Sequence, residues 1–211
     1  MGASGARTSA GSVSTDQPPA SLNVWLERAA CWRFASILFG SPTAEALADL
    51  RSIVPTVPEP CRAAAQHLST VDLELWGYEY HRVLGPGGLP ASESSYDRAA
   101  LAGRGPALAE IAGFYRAFSY RLDASGQGVP DDISVELGFL AYLAFKAAYA
   151  IHEQLGDALD VTSQAYAEFL RLHVSFWMPA FLEPLASGDS DFYRDAATWL
   201  NLVRDHLGDQ P

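Results

Sequence analysis

The sequence predicts an all-α protein, a single globular bundle of about eight to ten helices covering residues 21–208. Ala (34 residues) and Leu (25 residues), which favour helix, outnumber the 23 Val, Ile and Thr residues that favour strands. Apolar residues recur at three- and four-residue spacings in most segments, and no segment shows the alternation typical of a strand. The hydrophobic content of 49% is ample for one packed core.

Capping residues and helix breakers divide the first half of the chain. Ser21 is predicted to cap a long first helix that ends at Gly40, and Ser41-Pro42 is predicted to open the second. Three prolines between 55 and 60 separate this helix from a short Ala-rich helix at 61–68. Thr70 is predicted to cap the fourth helix. The apolar face of that helix consists of Leu73, Trp76, Tyr80, Val83 and Leu84.

Four further helices are predicted in the second half. Gly105-Pro106 opens one, and Asp131-Asp132 opens the longest, which continues to about Leu155 and is apolar most of the way round. Thr162 or Ser163 is predicted to cap the next helix, and Asp189 or Ser190 the last. Helices with such wide apolar faces belong at the centre of a bundle.

The charge of the chain excludes several classes of function. A net charge of −11 disfavours nucleic acid and anionic membrane surfaces as partners, and favours a basic partner. No run of about 18 apolar residues is found, so stable membrane insertion is not expected. Residues 1–20 are small and polar, which predicts a disordered tail rather than a signal peptide.

The two cysteines point to the cytoplasm. Cys31 and Cys61 both lie in apolar helical patterns, so buried reduced thiols are expected, although a disulfide between them stays open at this stage. The sequence does not fix their redox state.

No known catalytic or metal-binding pattern fits the sequence. No histidine follows a Glu by three residues, which argues against a di-iron bundle, and the five histidines are interpreted as surface or locally hydrogen-bonded groups. The glycine-rich stretch 85–88 lacks the Gly-Lys-Ser/Thr ending of a phosphate-binding loop, and Lys146 is the only lysine. Ser94 and Ser95 lie outside any Gly-x-Ser-x-Gly elbow. We therefore predict no catalytic residue, no metal ligand and no cofactor bound by the protein itself.

The segment from Trp76 to Tyr96 is the strongest candidate for a functional site. Gly85-Pro86-Gly87-Gly88 stops a helix, and about ten loop residues follow, including Glu93, Ser94 and Tyr96. An ordinary connection between helices would explain these features, as would a binding loop.

Two motifs in this region resemble the TorD/DmsD/NarJ family of cytoplasmic chaperones for molybdenum-containing oxidoreductases. The first is Tyr80-x-x-Val83-Leu84-Gly85-Pro86 followed by Ser92-Glu93-Ser94-Ser95-Tyr96. The second, Pro-Asp-Asp-Ile-Ser-Val-Glu-Leu at 130–137, resembles the family pattern Pro-Asp-His-Leu-x-x-Glu-Leu, with Asp132 in place of the family's histidine. The stretch from Phe169 to His173, followed by Trp177, resembles the family's C-terminal helices. The likeness covers about residues 25–205 and implies a TorD-like fold.

The resemblance implies an assembly chaperone without enzymatic activity. It would bind the basic or twin-arginine N-terminal leader of an apo molybdoenzyme catalytic subunit and hold it for insertion of molybdopterin-guanine-dinucleotide cofactor, which the client carries. The chaperone is expected to be a cytoplasmic monomer or dimer. Neither the client, nor its export, nor any guanine nucleotide binding follows from the sequence. The rival hypothesis is a small-molecule-binding or catalytic helical bundle in which residues 85–96 form a lid.

The resemblance also implies which residues bind the leader. Asp131 and Asp132 either cap their helix or also pair with leader arginines, because carboxylates bind guanidinium groups well. The expected peptide-binding residues are Trp76, Tyr80, Val83, Leu84, Gly85, Pro86, Glu93, Ser94, Tyr96, Asp131, Asp132 and Glu136.

Overall fold

A computed structural model describes residues 22–96, 105–122 and 129–208, and these residues form one helical bundle without a β-strand. The prediction of an all-α bundle of eight to ten helices is therefore confirmed. Nine α-helices lie in the described residues: α1 (Leu22–Phe39), α2 (Ala44–Ile53), α3 (Glu59–Leu68), α4 (Leu73–Val83), α5 (Gly105–Ala117), α6 (Ile133–His152), α7 (Gly156–Phe169), α8 (Met178–Ala186) and α9 (Asp191–Gly208). The predicted disordered tail at 1–20 lies outside them.

Helices α1 and α6 form the centre of the bundle and share its most extensive helix–helix contact. Both are apolar around most of their circumference, and each buries ten or more side chains. Gly138 on α6 lets the two helices approach closely, because a Cβ at this position would lie 3.0 Å from Oγ of Ser36 on α1. Helices α7, α8 and α9 and the pair α2–α3 pack around this centre.

By length and composition, helix α6 is long and apolar enough to cross a membrane. Its mean hydropathy is 1.3, and 61% of the most apolar window is buried inside the bundle. Since the neighbouring helices cover most of this apolar surface, α6 is the core helix of the domain.

Several predicted caps were wrong by two to eight residues. Asp72 rather than Thr70 caps α4, and its Oδ1 accepts the amide hydrogen of Glu74 at 2.8 Å. Thr43 rather than Ser41-Pro42 caps α2. Helix α7 starts at Gly156, which places Thr162 inside it. The tertiary structure decides which residue caps a helix, because several neighbouring residues carry side chains that could accept the free amide hydrogens.

The cap of the last helix is as predicted. Ser190 precedes α9, and its Oγ accepts the amide hydrogen of Tyr193 at 3.2 Å. Helix α5 begins at Gly105, also as predicted.

A π-helical turn, Leu170–Val174, continues α7. The amide of Ser175 donates to the carbonyl of Leu170 at 2.8 Å, five residues back along the chain. Such turns insert an extra residue into a helix and often occur at functional sites. Here the turn contains His173, which faces the interior.

Candidate functional site

The end of α4 positions the first part of the predicted site. Trp76 is fully buried, whereas Tyr80, Val83 and Leu84 are half-buried. Gly85 follows because a Cβ at this position would overlap the carbonyl of His81. The chain then turns back, with the amide of Leu89 donating to the carbonyl of Val83 at 2.8 Å.

Residues 91–96, which we call the clasp segment, are attached to the start of α6 by backbone hydrogen bonds. The amide of Ile133 donates to the carbonyl of Ala91 at 2.8 Å, and the amide of Glu93 donates to the carbonyl of Asp131 at 2.9 Å. Ser92 and Asp132 form an isolated antiparallel bridge. The two sequence motifs, separated by more than 30 residues along the chain, are thus one structural unit.

The two aspartates of the second motif have different surroundings. Asp132 is half-buried and caps α6, where its Oδ1 accepts the amide hydrogen of Ser134 at 2.9 Å. Burial raises the pKa of Asp132 above its ordinary value, and the bonds from Ser134 oppose that shift. Asp131 is 1% exposed, and its Oδ2 accepts the amide hydrogen of Ser94 at 3.1 Å. The capping interpretation therefore holds for Asp132, and the carboxyl group of Asp131 faces inward.

A buried polar cluster lies beneath the clasp segment. It contains three carboxyl groups and one imidazole, all at most 4% exposed: Glu93, Asp131, Glu136 and His173. The Nδ1 of His173 lies 3.2 Å from Oε2 and 3.4 Å from Oε1 of Glu93. This contact joins the clasp segment to the π-helical turn.

Two aromatic residues enclose this cluster. The indole N–H of Trp177 donates to the carbonyl of His173 at 2.6 Å and to Oε2 of Glu136 at 3.2 Å. Tyr96 stacks on the Trp177 ring with a centroid distance of 5.2 Å, and its hydroxyl donates to the carbonyl of Pro90 at 2.8 Å. The clasp segment is therefore fastened at both ends, by the start of α6 and by Trp177.

Burial and neighbouring carboxyl groups raise pKa values in and beside the cluster. Burial raises the pKa of Glu136 well above its ordinary value, and the hydrogen bond and charge of Glu93 raise it further. Tyr115, whose hydroxyl donates to the carbonyl of Pro130 at 2.8 Å, also has a raised pKa because it is buried beside these carboxyl groups. Three buried atoms of the cluster, Asp131 Oδ1, Glu136 Oε1 and His173 Nε2, have no hydrogen-bond partner among the described residues, and neither has the neighbouring Ser94 Oγ.

The structure thus divides the twelve predicted site residues into two groups. Glu93, Asp131 and Glu136 meet in the buried polar cluster, with Ser94 bonded to it and Tyr96 over it. Tyr80, Val83, Leu84, Gly85, Pro86 and Asp132 are half-buried or exposed, and Trp76 belongs to the core. The role of all twelve residues in peptide binding stays a prediction.

Sequence reasoning missed His173 and Trp177 as partners of the predicted residues. His173 lies four residues after Phe169 and four before Trp177, on the apolar face of one helix. A histidine in a stripe that is otherwise apolar signals a buried polar partner, and Glu93 of the loop motif is that partner.

A trough runs along α1 beside the exposed part of the site. A cavity of about 710 Å³ between α1 and α6 is mostly apolar, with Leu26 and Phe145 among its lining residues. It adjoins a second cavity of about 370 Å³, since Arg33 and Tyr120 line both. None of the lining residues of either cavity comes from 85–96, so that segment does not form a lid over them.

The trough ends near the predicted site residues. Ser41 and Ser134 line its second cavity, and Ser134 is the residue whose amide Asp132 caps. The hydroxyl of Tyr80 lies 3.5 Å from Oγ of Ser41. The apolar end, at Leu26 (42% exposed) and Phe145 (58% exposed), is thus continuous with an end that carries polar side chains.

No group of three or more His, Cys, Asp and Glu side chains is arranged to hold a metal ion within 22–96, 105–122 and 129–208. Cys31 and Cys61 lie fully buried as free thiols in the helices α1 and α3.

Comparison with known proteins identifies relatives with a common theme. The chain is 31% identical over 112 residues to a chlorate reductase assembly chaperone protein of Ideonella dechloratans, covering 52% of this chain and 57% of that protein. It is 31% identical over 138 residues to a selenate reductase assembly chaperone protein of Thauera selenatis (63% and 70%). A perchlorate reductase assembly chaperone protein of Dechloromonas aromatica (strain RCB) is 35% identical over 72 residues (34% and 31%). The matches span less than two thirds of the chlorate and perchlorate relatives.

These names describe assembly chaperones rather than catalysts, which agrees with the prediction that this chain is not an enzyme. The family model for the nitrate reductase delta subunit matches residues 39–183, a range that contains the end of α4, the clasp segment and the buried polar cluster. The chain therefore belongs to the nitrate reductase delta subunit family, the family of NarJ- and TorD-like chaperones.

Proposed function

We propose that this protein is an assembly chaperone for a molybdenum-containing reductase. It binds the N-terminal leader of the apo catalytic subunit and holds that subunit for cofactor insertion before export or assembly. Family membership carries the proposal, together with three relatives named as reductase assembly chaperones. The chaperone works in the cytoplasm as a monomer or dimer, and the molybdopterin-guanine-dinucleotide cofactor belongs to the client.

The trough along α1 is the surface we assign to the leader. Its apolar end, between Leu26 and Phe145, suits bulky apolar side chains. Its other end approaches Tyr80 and Asp132, two of the residues expected to bind the leader. A leader with basic first residues and an apolar middle would place the basic residues at the polar end of the trough and the apolar residues at its apolar end.

Charge complementarity supports a basic client segment. The chain as a whole carries a net charge of −11, whereas the second cavity is lined by two acidic and two basic side chains and adds no net charge of its own. Long-range attraction between this body and a basic leader accelerates their encounter, and salt screens it with a Debye length of about 8 Å at physiological ionic strength. The affinity is therefore expected to fall as salt is raised.

Calorimetric titration with leader peptides tests the proposal. The probes are synthetic peptides of the first residues of each molybdoenzyme catalytic subunit in the native host. We expect one of them to bind with a Kd of about 1 μM or tighter, corresponding to about −8 kcal/mol. If none binds at low salt, the proposed function is wrong.

A matched pair of variants tests the trough. Leu26→Ser combined with Phe145→Ser removes two exposed apolar side chains from it and is expected to weaken peptide binding at least about tenfold. Leu202→Ser is the control, because Leu202 is 38% exposed on α9 and lines neither cavity of the trough. Equal affinities of both variants would place the leader elsewhere on the protein.

A further inference from the structure

A second surface, formed by α5 and α7, leaves apolar side chains in contact with water. A cavity of about 430 Å³ lies between these helices, and we call it the α5–α7 groove. Six of its lining residues are small or apolar: Gly113, Phe114, Ala117, Phe118, Val161 and Ala165. Val161 is 60% exposed, and Phe114 and Phe118 are half-buried. The groove shares no lining residue with the trough along α1, so it is a separate surface.

The fold itself gives no reason for the glycine at the centre of this groove. Outside its own helix backbone, no described heavy atom lies within 4 Å of the position that a Cβ of Gly113 would take. Its φ lies outside the left-handed region, although it occupies the interior of α5. Glycine destabilises a helix interior relative to alanine. The open space over Gly113 therefore suits a partner whose backbone approaches α5 closely.

The charged residues that line the groove, Glu110 and Glu168, are both acidic and exposed. The rings of Phe114 and Phe169 pack edge to face, with their centroids 5.4 Å apart, and this contact joins α5 to α7. Glu110 lies one turn before the first ring on α5, and Glu168 directly precedes the second on α7. The two acidic side chains therefore lie toward the same end of the groove.

We propose that the α5–α7 groove binds an amphipathic α-helix of another polypeptide. Small and apolar residues of that helix face the groove, and its basic residues lie against Glu110 and Glu168. The basic residues belong toward one end of the helix, because Lys146 lies near the other end of the groove, with Nζ 5.7 Å from the centre of the Phe118 ring. The site is independent of the leader site assigned above.

A second copy of this chain is a poor occupant of the groove. Each copy carries a net charge of −11. Two grooves that face each other across a two-fold axis would bring the acidic residues of one copy toward those of the other, and like charges in contact oppose binding. An anionic membrane surface is disfavoured for the same reason. A basic helix suits both the apolar lining and the acidic end.

Thermal unfolding tests the interpretation of Gly113 in the protein alone. Gly113→Ala is expected to raise Tm by about 2–4 °C, because alanine favours the helix and no described neighbour obstructs its Cβ. An unchanged or lower Tm would show that glycine is no worse than alanine for the fold. That result would overturn the inference.

Two synthetic helical peptides of about 18 residues, or about five turns, are the probes for binding. Both have Ala and Leu on one face; toward one end of the opposite face, the first has Lys and Arg and the second has Glu. Chemical shifts of the isotope-labelled full chain are followed at low salt. We expect the basic peptide to shift the amides of Gly113, Ala117 and Ala165 most, and the acidic peptide to bind at least about tenfold more weakly. No binding of the basic peptide, or largest shifts along the trough, would contradict the proposal.

A matched pair of variants locates the binding. Gly113→Leu fills the groove and is expected to weaken binding of the basic peptide at least about tenfold. Ala63→Leu is the control and should bind as the wild type does, because Ala63 is exposed on α3 and does not line the groove. Equal affinities of the two variants would place the peptide elsewhere and sink the proposal.

Charge reversal supplies a test that does not depend on filling the groove. Glu110→Lys combined with Glu168→Lys changes two exposed side chains and is expected to invert the preference, so that the acidic peptide binds more tightly than the basic one. A preference for the basic peptide that persists would overturn the proposal. Sedimentation velocity of the protein alone covers the remaining occupant. A dimer that dissociates in Gly113→Leu but not in Ala63→Leu would show that the groove binds a second copy instead.

Discussion

Helix α6 meets two different environments along its length. From Leu137 onward it packs on α1 through apolar and small side chains, with Leu140 and Ala144 fully buried. In its first turn, Glu136 is equally buried but lies among two other carboxyl groups and a histidine. One helix therefore supplies both a rigid core and a polar site within two turns.

The apolar region and the polar region of α6 contribute differently to the stability of the fold. A buried Leu or Phe stabilises a fold by about 1.5–3 kcal/mol relative to its exposed state. A buried polar atom without a partner costs about 1–3 kcal/mol, and the cluster contains three such atoms. The core explains the stability of the fold, whereas the cluster lowers it. A region that lowers stability and coincides with both sequence motifs is better explained by function.

The largest expected effect comes from the apolar side. Phe139 is fully buried, with ring centroids 4.7 Å from Phe169 and 4.8 Å from Tyr115. Phe139→Ala should lower the free energy of unfolding by about 3–5 kcal/mol, because it leaves a cavity between α5, α6 and α7. Urea unfolding followed by circular dichroism measures this. A loss below about 1 kcal/mol would show that this region is not tightly packed.

The polar side should respond to pH where the apolar side does not. The pKa of Glu136 is raised in the folded state, so the folded protein holds a proton that the unfolded chain loses above about pH 4.5. Wild-type stability therefore falls relative to Glu136→Gln as pH rises, by up to about 1.4 kcal/mol per pH unit until Glu136 titrates when folded. Unfolding of both proteins from pH 5 to pH 9 gives the difference. A constant difference would contradict the shift.

Two buried tryptophans allow a matched comparison of the regions. Trp177→Phe leaves the His173 carbonyl and Oε2 of Glu136 without their donor, and should cost about 1–3 kcal/mol for these groups. Trp32 is as deeply buried but donates only to the hydroxyl of Tyr166 at 2.7 Å. Trp32→Phe should therefore cost less in the same urea assay. The reverse order would show that the indole bonds of the cluster matter little.

The smallest effect is expected at the outer edge of the cluster. Tyr96→Phe keeps the stacking on Trp177 and removes only the hydrogen bond to the Pro90 carbonyl. The expected loss is about 0.5–1.5 kcal/mol, the net value of one hydrogen bond. Thermal unfolding is sensitive enough to detect it. A loss above about 3 kcal/mol would mean that the hydroxyl, rather than the ring, fastens this end of the segment.

Much of the fold could be predicted from local signals. The apolar periodicity of α1 and α6 is strong because both helices are buried on several sides, and Gly40 and Ser190 bound their helices where expected. Helix starts were less predictable, since Thr70 and Asp72 both carry capping groups and only the tertiary structure selects one.

The sequence predicted which residues belong to the candidate site, but not how they contact one another. The motifs identified Glu93, Asp131 and Glu136, yet burial and pairing depend on contacts across more than 30 residues of sequence. The partner His173 lies 80 residues from Glu93, on a π-helical turn whose extra residue changes which way its side chain faces. Local periodicity contains no information on such a pairing, and a straight helix would have placed His173 differently.

The most direct test of the chaperone function is the molybdenum content of the client catalytic subunit. The subunit is purified from the native host with the gene for this protein intact, deleted, or restored, and metal is measured per polypeptide. We predict that deletion yields subunit with little molybdenum and that the restored gene returns it to the intact level. A subunit that is fully loaded without this protein would contradict the function proposed here.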